Sequence, residues 1–243
     1  IAALVIGGTV LTILFGMGIA RFFGHGPRFA FLSGGAVAIC GASAAMAISA
    51  ILPKDERSEE RLGFTVVGVT LLSTIAMILF PVIADILGFS TQAAGVFIGA
   101  TIHDVAQVVG AGFSISNETG EIATVVKLIR VAMLAPIILV ASILVRRLAT
   151  LEHPLERPPL LPGFVIAFVA LMALNSLGVI PALVTQLATD IVGWALLTAI
   201  AAVGLKTSLR DVIKVGAPAI ALLVTETLFI AFFIVAGLFW LKI

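Results

Sequence analysis

The stretch "GATIHDVAQVVGAG", residues 99–112, sets His103, Asp104 and Gln107 among apolar residues between glycine-rich flanks. What three polar side chains do there depends on the solvent around them, and composition decides that. Of 243 residues, 61% are hydrophobic and 11% are charged, with a mean hydropathy of +1.25. Soluble domains carry about 25% charged residues. A chain of this length cannot hide so much apolar surface in one water-soluble core. The solvent is lipid. Net charge is +1, which gives no reason to expect a nucleic-acid partner. The single cysteine, Cys40, excludes an internal disulfide.

A membrane-crossing helix needs about 20 mostly apolar residues. Eight runs meet that standard: 1–20, 29–53, 62–84, 86–113, 121–145, 160–179, 187–205 and 217–241. Without water to satisfy backbone groups, such runs form helices or a closed barrel, and these are too long for the alternating ten-residue strands of a barrel. The expected fold is all-α, a polytopic transmembrane helical bundle in a single domain, 1–243. The longest hydrophilic stretch, "RRLATLEHPLERPP" at 146–159, reads as a loop between membrane segments. The first run does not read as a signal peptide, because its positive charges follow the apolar stretch. The chain opens on Ile, which suggests a fragment with further spans upstream.

Basic residues in short loops mark the cytoplasmic side. Arg21 and Arg28 follow the first run, Arg146, Arg147 and Arg157 the fifth, and Lys206, Arg210 and Lys214 the seventh. Simple crossing of all runs puts these three loops on one side. One loop conflicts: "KDERSEER", 54–61, holds three basic residues and lands outside. Either its four acids compensate poorly, or runs 29–53 and 86–113 do not cross simply.

The second run contains "SGGAVAICGASAAMAIS", 33–49, almost all small residues. Small residues let membrane helices pack closely. The competing reading is a broken helix. Gly34, Gly35 and Gly41 weaken helical continuity, Ser33 and Ser43 can cap freed amides, and a half-helix N-terminus at depth attracts anions.

Three blocks now stand together: "AICGASAA" in the second run, "GATIHDVAQVVGAG" in the fourth, and "EIATVVKLIRVAMLAPIIL" at 121–139. With "ALNSLG" at 173–178 and "GLKTSLRDV" at 204–212, they resemble, in order and spacing, the YeiH-type family of bacterial inner-membrane proteins, labelled sulfate exporters. Family members are longer at the N-terminus. The resemblance implies an inverted-repeat secondary carrier with discontinuous helices, similar to the bile acid symporter group. It also implies a multi-pass protein of the bacterial inner (plasma) membrane and a cargo such as sulfate or a sulfonate.

A charge at the bilayer centre costs about 2.5–3.5 kcal/mol on insertion scales, so such groups face protein or water. In a continuous helix His103 and Gln107 share a face, and Asp104 points about 100° away. Lys127 and Arg130, three apart, share a face of the fifth run, and Lys127 lies about 9 Å beyond Glu121 along it. One cation is expected to pair with Asp104, leaving the other for an anion; an Arg fork suits an oxyanion. Snorkelling to the interface is the alternative. Thr124, one turn earlier, adds a hydroxyl. The candidate substrate site is therefore Cys40, Gly41, Ala42, Ser43, His103, Asp104, Gln107, Thr124, Lys127 and Arg130. Asp104 and Glu226, the latter in "LLVTETLFIAFF", are candidates for ion coupling, to a proton or to sodium.

No cofactor or metal is expected, with three histidines of which His25 and His153 sit in loops. Expected partners are the lipid bilayer and a small inorganic or organic anion, and a homo-oligomer is compatible with both. An enzyme is not expected. Two other classes stay open at this point: a membrane enzyme using His103 and Asp104 as acid and base, and a non-transporting scaffold or sensor in which every polar group is packing glue.

Overall fold

The computed structural model describes residues 1–152, 163–181, 183–188, 191, 194, 198 and 209–242. Among these every regular element is helical, as expected for an all-α polytopic membrane protein. Helix α1 (Ala2–Ile19) runs into one 3-10 turn (Ala20–Phe23), which Gly24 ends in a left-handed conformation, φ 73°. Then come α2 (Pro27–Ala38), α3 (Ala42–Ile51), α4 (Ser58–Ile86), α5 (Thr91–Thr101), α6 (Val105–Ile115), α7 (Asn117–Ala132), α8 (Leu134–Glu152), α9 (Gly163–Ser176) and α10 (Leu209–Leu241). Gly216, φ 85°, kinks α10.

Four of these units are long and apolar enough to cross a bilayer: Ala2–Phe23, Ser58–Ile86, Asn117–Arg147 across a joint at Met133, and Gly216–Leu241. The runs 29–53 and 86–113 differ from the expectation of single spans. Each folds as two short helices, α2 with α3 and α5 with α6. At 1.5 Å per residue, α2 is about 18 Å long and α5 about 16 Å, roughly half the hydrocarbon thickness.

Both pairs turn back. Arg28, at the start of α2, forms an ion pair with Asp55, just past the end of α3, at 3.3 Å, and Arg61 at the start of α4 holds the same carboxylate at 2.8 Å. His25 joins that face: burial, then the Arg61 and Arg57 cations, hold its imidazole below the ordinary range. A side chain on Gly35 of α2 would run into Ile48 of α3. The α2–α3 unit is thus a re-entrant hairpin that enters and leaves on one side. The α5–α6 unit does the same from the opposite side. The Thr119 hydroxyl, at the start of α7, donates to Thr91 O at the start of α5 (3.5 Å). Gly112 near the end of α6 lies against Gly120 of α7.

This topology removes the charge conflict. With both hairpins re-entrant, Arg21, Arg28, Lys54, Arg57, Arg61, Arg146 and Arg147 share one face, which is cytoplasmic by the basic-residue rule. The opposite connections, 87–90 and 116, carry no basic residue. In a Cys40→Ala background, an impermeant maleimide is expected to reach Arg21→Cys and Glu56→Cys from one face and Glu118→Cys from the other. Labelling of Arg21→Cys and Glu56→Cys from opposite faces would rule out the first hairpin.

The small residues of α2 now have a structural use. Ser33 to Ala38 are all buried, because α2 sits centrally, packed against α1, α3, α4 and α10. Glycine and alanine let four helices approach it at once. On α4, Leu71, Ile75, Ile78 and Val82 stay exposed as a lipid-facing stripe. Helix α10 packs antiparallel to α1: Gly237 meets Leu4, and Gly8 meets Phe233 and Ile234. Most of the expected run 187–205 lies outside the described residues, with His153, Arg157, Asp190 and Lys206; of the expected loop 146–159, residues 146–152 continue α8 as helix and 153–159 lie outside the described residues.

Candidate functional site

The hairpin tips meet. Gly41 turns the first tip with φ 65° and ψ −123°, a conformation glycine alone adopts cheaply. Its N–H closes α2 on Ala36 O at 2.8 Å. A side chain there would stand 3.6 Å from His103 Cβ in the second tip.

Irregular backbone at membrane depth survives only where protein satisfies it. Helices α2 and α5 both end at the tips, and their last carbonyls have no partner within the helix. Helix α7 supplies the donors. Arg130 donates through Nε to Ala38 O (2.8 Å), Nη2 to Val37 O (2.7 Å) and Nη1 to Ile102 O (3.2 Å). Lys127 Nζ donates to Ile39 O (2.8 Å) and Ile102 O (2.9 Å). Both side chains are fully buried. Two cations therefore sit where two negative helix ends converge, about half a charge each.

His103 belongs to the break itself. Its Nδ1 lies 3.1 Å from Val37 O and its Nε2 3.0 Å from Thr227 Oγ1 of α10. A carbonyl only accepts, which assigns the hydrogen to Nδ1 and leaves Nε2 to accept from the Thr227 hydroxyl. Thr227 also lies 2.8 Å from Leu223 O and has one hydrogen to share. Asp104 caps α6: its Oδ1 accepts from Ala106 N at 2.8 Å, and its own N–H donates to Ser73 Oγ at 3.0 Å. Gln107 Nε2 donates to Thr74 Oγ1 at 2.8 Å, while its buried Oε1 has no partner among the described residues.

The sequence-derived residues thus converge, in an arrangement that differs from the expected one. Neither Lys127 nor Arg130 forms an ion pair with Asp104; the carbonyls orphaned by the breaks outbid it. His103 and Gln107 do not share a face, because His103 precedes α6 and reaches α2 and α10, whereas Gln107 reaches α4. The Thr124 hydroxyl donates to Gly120 O of its own helix (2.7 Å). Ser43 Oγ bonds Cys40 O (3.2 Å) and Sγ (2.9 Å). Glu226 lies apart from the tips, its Oε1 accepting from Ser33 Oγ at 2.9 Å. Ser73, Thr74 and Thr227 were not legible as participants; only the polar cluster around Glu226 hinted at Thr227.

One helix start at the tips is different. At the second tip Asp104 caps α6 with a side-chain oxygen, as Ser90 and Ser116 cap α5 and α7 away from the tips, while α1, α2 and α4 start without a side-chain cap outside the tips. Helix α3 has no side-chain cap, and its first backbone bond runs from Ala45 N to Gly41 O. The amides of Ala42, Ser43 and Ala44 are therefore unclaimed among the described residues, with Ser43 exposed. Among the described residues no cluster of His, Cys, Asp or Glu could hold a metal. Two surface cavities lie away from the tips, one beside Arg28, Ser49 and Arg61, the other an apolar groove along Phe64, Leu71 and Ile220.

Comparison with known proteins bears on identity. Residues 1–223 match the family described as conserved hypothetical protein 698. UPF0324 membrane protein TauZ of Paracoccus pantotrophus is 60% identical over 238 residues, 97% of this chain and 70% of that protein. UPF0324 membrane protein RB0971 of Rhizobium meliloti is 56% identical over 239 residues, 98% and 69%. UPF0324 membrane protein CT0845 of Chlorobaculum tepidum is 48% identical over 233 residues, 96% and 65%. No solved structure matches. These relatives agree with the YeiH-type resemblance and with a multi-pass bacterial membrane protein. The chain belongs to the conserved hypothetical protein 698 family of UPF0324 membrane proteins.

Proposed function

We propose that this protein is a secondary carrier of a small anion, with sulfate and sulfonates as first candidates. The observation that supports it is the bare N-terminus of α3 at the hairpin tips, backed by two buried cations. Three free amides at the positive end of a helix dipole match an oxyanion. Lys127 and Arg130 act through the field: they offset the negative ends of α2 and α5, so the amides of α3 face an anion without a competing negative potential. Asp104 fills the equivalent place on α6 and keeps the cargo off that helix. The choice of sulfate or a sulfonate rests on the family resemblance. Covalent chemistry fits less well, since both His103 nitrogens have partners that hold the tips and Asp104 Oδ1 caps α6.

The test uses purified protein, thermal unfolding and a panel of sulfate, sulfite, sulfonates, carboxylates and phosphate at matched ionic strength. At least one anion is expected to raise Tm, and liposome-reconstituted protein to exchange it. Ser43→Asp places a carboxylate in the first turn of α3, where it stabilises the helix and competes with the anion. It is expected to fold and to lose the anion-dependent shift. A shift retained in Ser43→Asp, or absent for every anion in the unaltered protein, refutes the reading.

A further inference from the structure

Glu226 is the polar group that the anion site leaves unused. It is fully buried, on α10. Its Oε1 accepts from Ser33 Oγ of α2 at 2.9 Å, and its Oε2 is buried with no partner among the described residues. Two glycines shape the space around it. A side chain at Gly16 of α1 would run into Oε1, and one at Gly34 of α2 would stand 3.6 Å from it. Three helices thus close on a single carboxyl.

Among the described residues no cation balances it, and Arg21 of the 3-10 turn that packs against α10 is exposed. Helices α1 and α5 contain no charged residue, α2 only Arg28 in its first turn, and α4 only residues near its ends. On α10 the charged residues Arg210, Asp211 and Lys214 all lie before the Gly216 kink. The titratable group linked to this stretch is His103, bonded to the next residue, Thr227. Lys127 and Arg130 are committed to the tip carbonyls. A bare carboxylate in lipid-depth packing is costly without a partner, so the packed arrangement suits the carboxylic acid, and an ionised Glu226 requires water at Oε2.

We propose that Glu226 is the proton-coupling site of the carrier, Oε2 taking a proton from water on one side of the membrane and returning it on the other together with the anion. This rests on the anion-carrier reading. Coupling follows from placement. Ser33 lies five residues before the end of α2 at Ala38, about 7.5 Å along the axis, and the first tip follows directly, so the carboxyl and the tip are on the order of 10 Å apart. At that distance an ionised Glu226 lowers the affinity of an anion at the first tip by roughly tenfold, taking an effective dielectric near 20. By reciprocity, a bound anion favours the protonated carboxyl by the same factor. Thr227, one residue on, ties the same stretch of α10 to the second tip.

The experiment compares unaltered protein with E226Q in proteoliposomes, using labelled sulfate and the anion found to raise Tm as probes. The glutamine carbonyl still accepts from Ser33, so a purely structural role predicts no change in any readout. Unaltered protein is expected to accumulate anion against its gradient when a pH gradient is imposed, and to bind it more weakly as pH rises. E226Q is expected to bind with pH-independent affinity and to keep anion exchange, but to lose accumulation driven by the pH gradient. Exchange intact in both proteins with gradient-driven accumulation retained in E226Q overturns this proposal alone. Accumulation driven by sodium and indifferent to pH overturns it in favour of a sodium site. Absence of exchange in the unaltered protein overturns the carrier reading and this proposal with it.

Discussion

Arg130→Met is expected to destabilise the protein by about 3–5 kcal/mol, the range seen when one member of a buried charged arrangement is removed, and to lower Tm by about 10 °C for a chain of this size. Arg130 makes three hydrogen bonds to carbonyls of both hairpins. Two of its acceptors keep a second donor, Val37 O from His103 and Ile102 O from Lys127. Ala38 O keeps none and is left bare in a dry interior, at about 1–3 kcal/mol. The remainder is electrostatic: one of two cations facing two negative helix ends disappears. Arg130→Lys keeps the charge but loses the planar fork that reaches three acceptors at once, so it should fall between the two. Thermal unfolding in detergent, read by intrinsic fluorescence, orders the three proteins. An Arg130→Met variant melting within a degree or two of the parent would mean that the guanidinium does not hold the tips together.

Much of this architecture was legible in the sequence because lipid leaves few options. Apolar runs of this length must be helical, and polar groups at depth must be gathered. Gly41 marked the first break, and the chain turns there; the second, at His103–Asp104, reads as continuous helix but is also a turn. What hydropathy could not give was the direction after each break. A 25-residue apolar run serves equally as one span or as two half-helices folded back, and its average is the same in either case. The charge of 54–61 carried the missing information: a re-entrant hairpin at 29–53 brings its three basic residues to the basic face, and a second at 86–113 keeps Arg146 and Arg147 there. Asp104-x-x-Gln107 also fits the capping-box spacing that opens a helix, a signal that α6 begins at Asp104 and that His103 stands outside it. The roles of Lys127 and Arg130 were harder to read. Spacing put them on one face, but their acceptors are backbone carbonyls made available by breaks in α2 and α5, which are far away in sequence and identical in every residue type.

Gly99→Ala is expected to be nearly as damaging as loss of Arg130, at about 3 kcal/mol, the upper end of overpacking costs. The added methyl runs into the carbonyl oxygen of Ala123 on α7 and approaches Val126 Cβ to 2.9 Å. The first obstacle is backbone, so no rotamer change relieves it, and α5 and α7 must separate. That displacement has a specific consequence. Lys127 and Arg130 sit one and two turns beyond Ala123 on α7, and both reach Ile102 O at the end of α5. Pushing α7 outward lengthens those bonds together. Two controls isolate the mechanism. Gly7→Ala on α1 adds a methyl with nothing within 4 Å and should be neutral or slightly stabilising, since glycine in a helix interior costs about 0.5–1 kcal/mol relative to alanine. Val126→Ala added to Gly99→Ala trims only the two γ-methyls and keeps both the Cβ and the Ala123 carbonyl that the new methyl meets, so it should recover little. If Gly99→Ala unfolds at the same temperature as Gly7→Ala, or if Val126→Ala restores it fully, the close backbone approach of α5 to α7 does not set the position of the two cations.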